Sequence, residues 1–208
     1  MFGPHSGRLQ TSLQEAGIDP GSIDAVVCSH PHPDHIGGIC TNDGVPLFPN
    51  AQIYLSENDF NFWTDKKLLG TRLDLSVKIA RNNLLPVRER IVFFKDGQEF
   101  LPGVQAMFTP GHTKEHACFV LTSRNQSMCL IGDLSQHPVR LLERPRSQFI
   151  HDLDPLRAAE TRVKVRGILL KERMTLYSGH FPWPGIGHIA EEKDGFRYYP
   201  EATKWVST

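Results

Sequence analysis

The sequence predicts a mixed α+β chain built on one core, and three observations carry that expectation. Its 208 residues, 39% of them hydrophobic, suffice for a single domain spanning 1–208. Strand-like runs group early and late with helix-like segments between them, without the regular strand–helix alternation of a wholly parallel sheet. Apolar runs and glycine turns repeatedly end in a histidine or aspartate, as strand ends that carry a polar site do.

Taken in order, residues 8–16 read as an amphipathic helix stopped by Gly17, and Asp19-Pro20-Gly21 turns the chain toward the apolar run Ala25-Val26-Val27-Cys28. Gly37-Gly38-Ile39-Cys40 is placed at or near a helix start. Residues 51–55 form a strand, and Ser56-Glu57-Asn58-Asp59 resembles a capping box that starts a helix carrying Phe60, Phe62 and Trp63. Residues 66–90 are the least regular stretch, where a substrate-shaping lid is expected. Ile91-Val92-Phe93-Phe94 with Lys95-Asp96-Gly97-Gln98 reads as a strand and hairpin turn, and 104–108, 117–121 and 128–131 as further strands. Asp154-Pro155 caps a helix running to about 173, residues 174–177 form a strand, and 196–199 after Asp194-Gly195 close a final hairpin.

Bulk properties narrow the function. Lys+Arg and Asp+Glu both number 23, so formal charge is zero and neither a nucleic-acid groove nor an anionic membrane surface is expected. The basic stretch 157–173 reads as a solvated helix face. No run reaches the roughly 18 apolar residues that a membrane span needs, and no charged-then-apolar signal pattern opens the chain. Cys28, Cys40, Cys118 and Cys129 have no C-x-x-C spacing and read as reduced, largely buried thiols, which suits a cytoplasmic location.

The most informative stretch is His30-Pro31-His32-Pro33-Asp34-His35. Three imidazoles and a carboxylate in six positions after an apolar run need partners that packing does not provide, and metal ions provide them. In an extended segment His30 and His32 point the same way and can share one ion, while Asp34 and His35, past the bend, can face a second. Pro31 and Pro33 stiffen the loop. Further donors stand at comparable positions: His112 in Thr109-Pro110-Gly111-His112-Thr113, Asp133 in Leu130-Ile131-Gly132-Asp133, and His180 in Tyr177-Ser178-Gly179-His180. Gly111, Gly132 and Gly179 precede them and permit tight turns. His116, His137 and His188 read as outer supports or structural residues, and His5 and His151 as surface.

These four pieces stand in the order of the metallo-β-lactamase superfamily pattern, HxHxDH followed by Gly-His-Thr, Gly-Asp and a late Gly-His, and the chain resembles that family. The resemblance implies a four-layer αββα sandwich and covers only the later part of the family's domain: the usual N-terminal strands are missing, so the sheet is expected to be N-terminally truncated, with an open edge or uncovered face. It also implies that His30, His32 and His112 hold one ion, Asp34, His35 and His180 the other, and Asp133 bridges them. Two divalent ions about 3.5–4 Å apart bring a water's pKa near neutrality and polarise a carbonyl or phosphoryl oxygen, with Asp34 or Asp133 passing a proton to the leaving group. Imidazole at His32 suits zinc, and two zinc ions are the expected cofactors.

The tail from Gly179 to His188 and the run 132–138 most resemble the branch of methyl-parathion hydrolases and acyl-homoserine lactonases, which implies hydrolysis of small esters, lactones or phosphotriesters. The lactonases place a tyrosine three positions after the bridging aspartate, where this chain has Gln136. Phe62, Trp63, Phe181 and Trp183 are candidates for the apolar wall of a substrate pocket, with core packing as the competing reading. The other readings are a mononuclear iron persulfide dioxygenase and a truncated, non-catalytic metal-binding domain. A small-molecule substrate and a homodimer are the expected partners.

Overall fold

A computed structural model of the chain describes residues 7–193 and 195–202. Residues 1–6, His5 among them, and Asp194 of the final turn lie outside the described residues. The chain forms two compact units, Met1–Phe94 and Lys95–Thr208.

The first unit holds a three-stranded parallel sheet in the order β1 (Ala25–Val27), β2 (Gln52–Ser56), β3 (Ile91–Phe94). Helix α1 (Leu9–Glu15) ends at Ala16 with Gly17 at φ +69°, where the glycine stop was expected. Helix α2 is a single turn, Pro33–Ile36. The helix near the glycine pair therefore ends there instead of starting: Pro33 occupies its first position, where a missing N–H costs nothing, and the Gly37 N–H returns to the Pro33 carbonyl at 2.9 Å. In α3 (Glu57–Thr64) the Ser56 side chain accepts from the Asp59 N–H, as the capping signal indicates.

The stretch expected to be irregular carries an eleven-residue helix, α4 (Asp74–Leu84). Val77, Ala80 and Leu84, spaced by three and four, are fully buried along one face. Burying Val77 and Leu84 is worth roughly 1.5–3 kcal/mol each. Asn83 on α4 accepts from the Cys40 N–H at 2.9 Å and so ties down the segment just after α2.

The second unit holds a seven-stranded sheet in the order β10-β9-β8-β7-β6-β5-β4, formed by β4 (Glu99–Leu101), β5 (Val104–Phe108), β6 (Ala117–Ser123), β7 (Gln126–Leu130), β8 (Thr175–Tyr177), β9 (Ile186–Glu192) and β10 (Gly195–Pro200). All its pairs are antiparallel except β7 with β8. The Gly97 turn does not fold β3 back into a hairpin: β3 pairs with β2 in the first unit, and the chain past the turn enters the second sheet as β4. Helix α5 (Pro155–Lys171) lays Val165 and Leu169 into a core with Cys118, Cys129, Ile131, Leu142, Leu176 and Ile189. Asp154 caps it, accepting from the Arg157 N–H at 3.0 Å, with Pro155 in the first turn.

The basic face of α5 is not wholly solvated, because Arg162 is fully buried within it. Each unit thus supplies a sheet layer and a helix layer, the αβ halves of which an αββα sandwich is composed. All four cysteines are buried free thiols.

Candidate functional site

In the first unit β1 feeds directly into the histidine loop. His32 is extended (φ −76°, ψ 156°), so His30 and His32 converge as the period of an extended chain requires, with His30 Nε2 and His32 Nδ1 3.0 Å apart. The Ser29 hydroxyl lies 3.0 Å from His30 Nδ1 and fixes the ring from behind. One turn on, α2 carries Asp34 and His35, their Oδ2 and Nε2 3.6 Å apart, and the His30 and His35 ring centres are 4.1 Å apart. Buried Trp63 meets the His32 ring edge-on at 4.7 Å, and half-buried Phe62 lies against Trp63 at 5.2 Å. Trp63 thus serves as a backing for a candidate ligand and as core at once.

In the second unit three strand ends deliver their side chains to one place. Asp133 is the centre: its Oδ1 lies 2.9 Å from His180 Nε2 and its Oδ2 3.2 Å from His112 Nε2. A carboxylate with a different imidazole at each oxygen has the form of a bridging ligand. Gly111 makes the delivery of His112 feasible. Its φ is +134°, and a Cβ there would lie 2.3 Å from the Ala158 nitrogen, so only glycine lets the loop approach α5 this closely. The Leu153 N–H bonds the His112 carbonyl at 3.1 Å, the Asp154 N–H the Gly111 carbonyl at 2.9 Å, and the Thr161 hydroxyl the Pro110 carbonyl at 2.7 Å. Gly132, at φ +47°, meets the turn requirement before Asp133, whereas Gly179 takes no left-handed conformation.

Two residues that sequence reasoning missed hold His112 in place. Its Nδ1 lies 3.0 Å from Asp152 Oδ1, and Asp152 Oδ2 in turn lies 3.2 Å from Arg162 Nη1. Asp152 and Arg162 side chains are 0% and 1% exposed. Arg162 further donates from Nε to the Pro145 carbonyl at 3.1 Å and from Nη2 to the Ser147 carbonyl at 2.6 Å. A carboxylate behind a histidine keeps the proton on Nδ1 and turns the Nε2 lone pair forward, as metal-ligating imidazoles require. Burial opposes charge on the His112 ring, but hydrogen bonds and charge from Asp133 and Asp152 outweigh it and push its pKa up to about 9.

His116 is the outer support expected of it. It is buried, its Nδ1 lies 2.6 Å from the Thr109 hydroxyl, and its Nε2 accepts from the Asp133 N–H at 3.0 Å. His137 is structural, its Nδ1 accepting from the Val139 and Arg140 N–H groups. His188 stacks on Tyr199 away from these groups, 5.5 Å between ring centres. Phe181 is buried in the core against Tyr198, and Trp183 stands out at 86% exposed, so the first is a packing residue and the second a surface one.

The donor chemistry in each unit fits a divalent cation: paired imidazoles, and a carboxylate offering one oxygen to each side. The sequence model of the metallo-beta-lactamase superfamily matches residues 2–180. The chain belongs to the metallo-β-lactamase superfamily. Among relatives within it, an N-acyl homoserine lactonase of Bacillus thuringiensis is 24% identical over 196 residues, 93% of this chain and 67% of that protein. Among solved superfamily structures, AidC, a dizinc quorum-quenching lactonase in complex with an N-acyl-L-homoserine product, is 28% identical with a TM-score of 0.89, covering 98% of this chain and 72% of that one. The hydrolase AbOPH is 30% identical with a TM-score of 0.88 over the same shares.

Proposed function

We propose that the chain is a metal-dependent hydrolase with a dinuclear zinc centre and that residues 1–208 make up a single metallo-β-lactamase-like domain. As the family resemblance implies, His30, His32 and His112 would hold one ion, and Asp34, His35 and His180 the other, with Asp133 given to both. The single observation that carries this reading is the Asp133 carboxylate, flanked by a different histidine at each oxygen. The reaction class is hydrolysis of a small ester, lactone or phosphotriester, and similarity to AidC and to the Bacillus lactonase supports the lactone among these.

When bound, the two ions supply Lewis acidity and an acidified water at neutral pH. The chain's own residues do the rest. Asp152 holds the His112 ring in the tautomer that frees Nε2, and His116 fixes the backbone that presents Asp133. Asp34, exposed on the first turn of α2, would hold its ion and, being the more accessible of the two candidate carboxylates, would also take a proton and return it to a leaving group. Asp133, buried and shared between two histidines, would mainly hold the ions and is the alternative for the proton transfer.

The partner of this site is a small molecule. A cytoplasmic location, for which four buried free thiols speak, a homodimer, and the absence of a nucleic-acid partner belong to the same proposal. Elemental analysis of the purified chain joined to an ester, lactone and phosphotriester panel tests it. About two zinc ions per chain and chelator-sensitive hydrolysis are expected; one iron per chain, or a zinc-loaded chain inert to the whole panel, would refute it.

A further inference from the structure

We infer that Gln136 is a positioning residue that fixes the plane of the Asp133 carboxylate, and thereby the grip of the site on its second ion. The inference rests on the dinuclear reading above. Gln136 is half-buried, two residues beyond the short turn Gly132–Leu134 that carries Asp133. Its Nε2 lies 3.0 Å from the Asp133 carbonyl oxygen, 3.1 Å from Asp133 Oδ2 and 3.3 Å from His112 Nδ1.

The orientation of the amide follows from its neighbours. Two of the three atoms facing it are oxygens that can only accept, and the proton on the third, His112 Nδ1, is directed at Asp152, so the NH2 end belongs there; turning the amide over would set Oε1 against a carboxylate and a carbonyl. The chosen orientation has a visible cost, because it leaves the buried Oε1 with no hydrogen-bond partner among the described residues. A glutamine that served only to cap the turn could satisfy the Asp133 carbonyl with either hydrogen and swing its own oxygen to solvent. Here one NH2 group spans the backbone and the side chain of the same aspartate, which ties the carboxylate plane to the turn.

That tie matters because the other partners of the Asp133 carboxylate are themselves candidate ligands, whose ring nitrogens turn to an ion once one is bound and no longer hold the carboxylate plane. His116 accepts from its N–H, His180 meets Oδ1 and His112 meets Oδ2. Without the Gln136 donor the carboxylate can rotate about its last torsion and present both oxygens to one side. A bridging ligand then becomes a ligand to one ion only, and the other ion loses a donor.

The test is zinc binding by the full chain, read by competition with a chromophoric chelator, alongside thermal unfolding of the metal-free chain. Gln136→Met keeps the volume and removes the donor. Immobilising one side chain is worth about 0.5–1.5 kcal/mol, which converts to a loss of about two- to twelvefold in zinc affinity for one of the two equivalents, the other being retained. Gln136→Asn, which stays polar but is one methylene too short to reach Oδ2, is expected to show the same loss and serves where the methionine variant does not fold. Unchanged affinity for both equivalents with a lowered melting temperature would make Gln136 a turn cap only and overturn the inference while leaving the dinuclear reading intact. Fewer than two equivalents on the unaltered chain would overturn both.

Discussion

Replacing Arg162 by methionine tests the idea that a buried ion pair on α5 supports the candidate site. Arg162 makes one contact to Asp152 Oδ2 at 3.2 Å and two to the carbonyls of Pro145 and Ser147, and neither charged side chain reaches solvent. Met at 162 fills much of the space and leaves Asp152 as a buried charge whose remaining partner is His112. Breaking a buried pair from one side costs about 3–5 kcal/mol. In a chain of this length each kcal/mol moves the melting temperature by about 2–4 °C, so a fall of about 6–20 °C is expected by calorimetry or circular dichroism.

Asp152→Asn is expected to cost less, because Arg162 keeps its two carbonyls, yet to weaken zinc binding about 10–100-fold as the His112 ring loses the carboxylate behind it. The double variant Asp152→Leu with Arg162→Met should be less damaging than the sum of the single changes Asp152→Leu and Arg162→Met, since no charge is left buried and alone. A melting temperature for Arg162→Met within about 2 °C of the unaltered chain, or strict additivity in the double variant, would refute the reasoning.

Two further outcomes are expected. Gly111→Ala forces a Cβ to within 2.3 Å of the Ala158 backbone at φ +134°, so it should cost about 1–3 kcal/mol from backbone strain before the clash is relieved, and any relief moves His112; denaturant unfolding and zinc content read the two effects. The native chain should resist iodoacetamide at pH 8 and take up four labels once denatured, because burial pushes the Cys28 thiol up to about 12 and the hydrogen bond that the Cys129 thiol donates to Cys118, with burial, raises Cys129 as well. The thiolate is the reactive form, so labelling of the native chain should appear only as the pH climbs toward that value or the fold opens, and mass spectrometry across a pH series checks it.

How much was legible in the sequence follows from how local each signal is. The ligand-bearing ends were readable because each is announced within a few residues: prolines that extend His30 and His32, glycines before His112 and Asp133, an Asp-Pro cap before α5. Helix α4 was readable in principle, through Val77, Ala80 and Leu84, but the prolines and glycines flanking it drew attention to the breaks instead of the period. Strand β9 was hidden for a physical reason. Gly187 weakens any strand signal, and the structure needs it, because a Cβ there would lie 2.3 Å from the Tyr199 carbonyl oxygen across the hairpin.

Arg162 and Asp152 belong to a different category. Nothing within ten residues distinguishes Arg162 from the exposed basic side chains beside it, and Asp152 reads as one more polar residue before a cap. Their roles arise only when α5 is laid along the sheet and its first turns are strapped to the loop that carries His112, by the Thr161 hydroxyl and the Leu153 and Asp154 N–H groups. Ligand identity is therefore written in short motifs, whereas ligand orientation is written in packing: the same His112 on a loop without that helix behind it would keep its motif and lose the direction of its lone pair. Substitutions on α5, far from HxHxDH in sequence, are accordingly where metal affinity can be altered without touching a ligand.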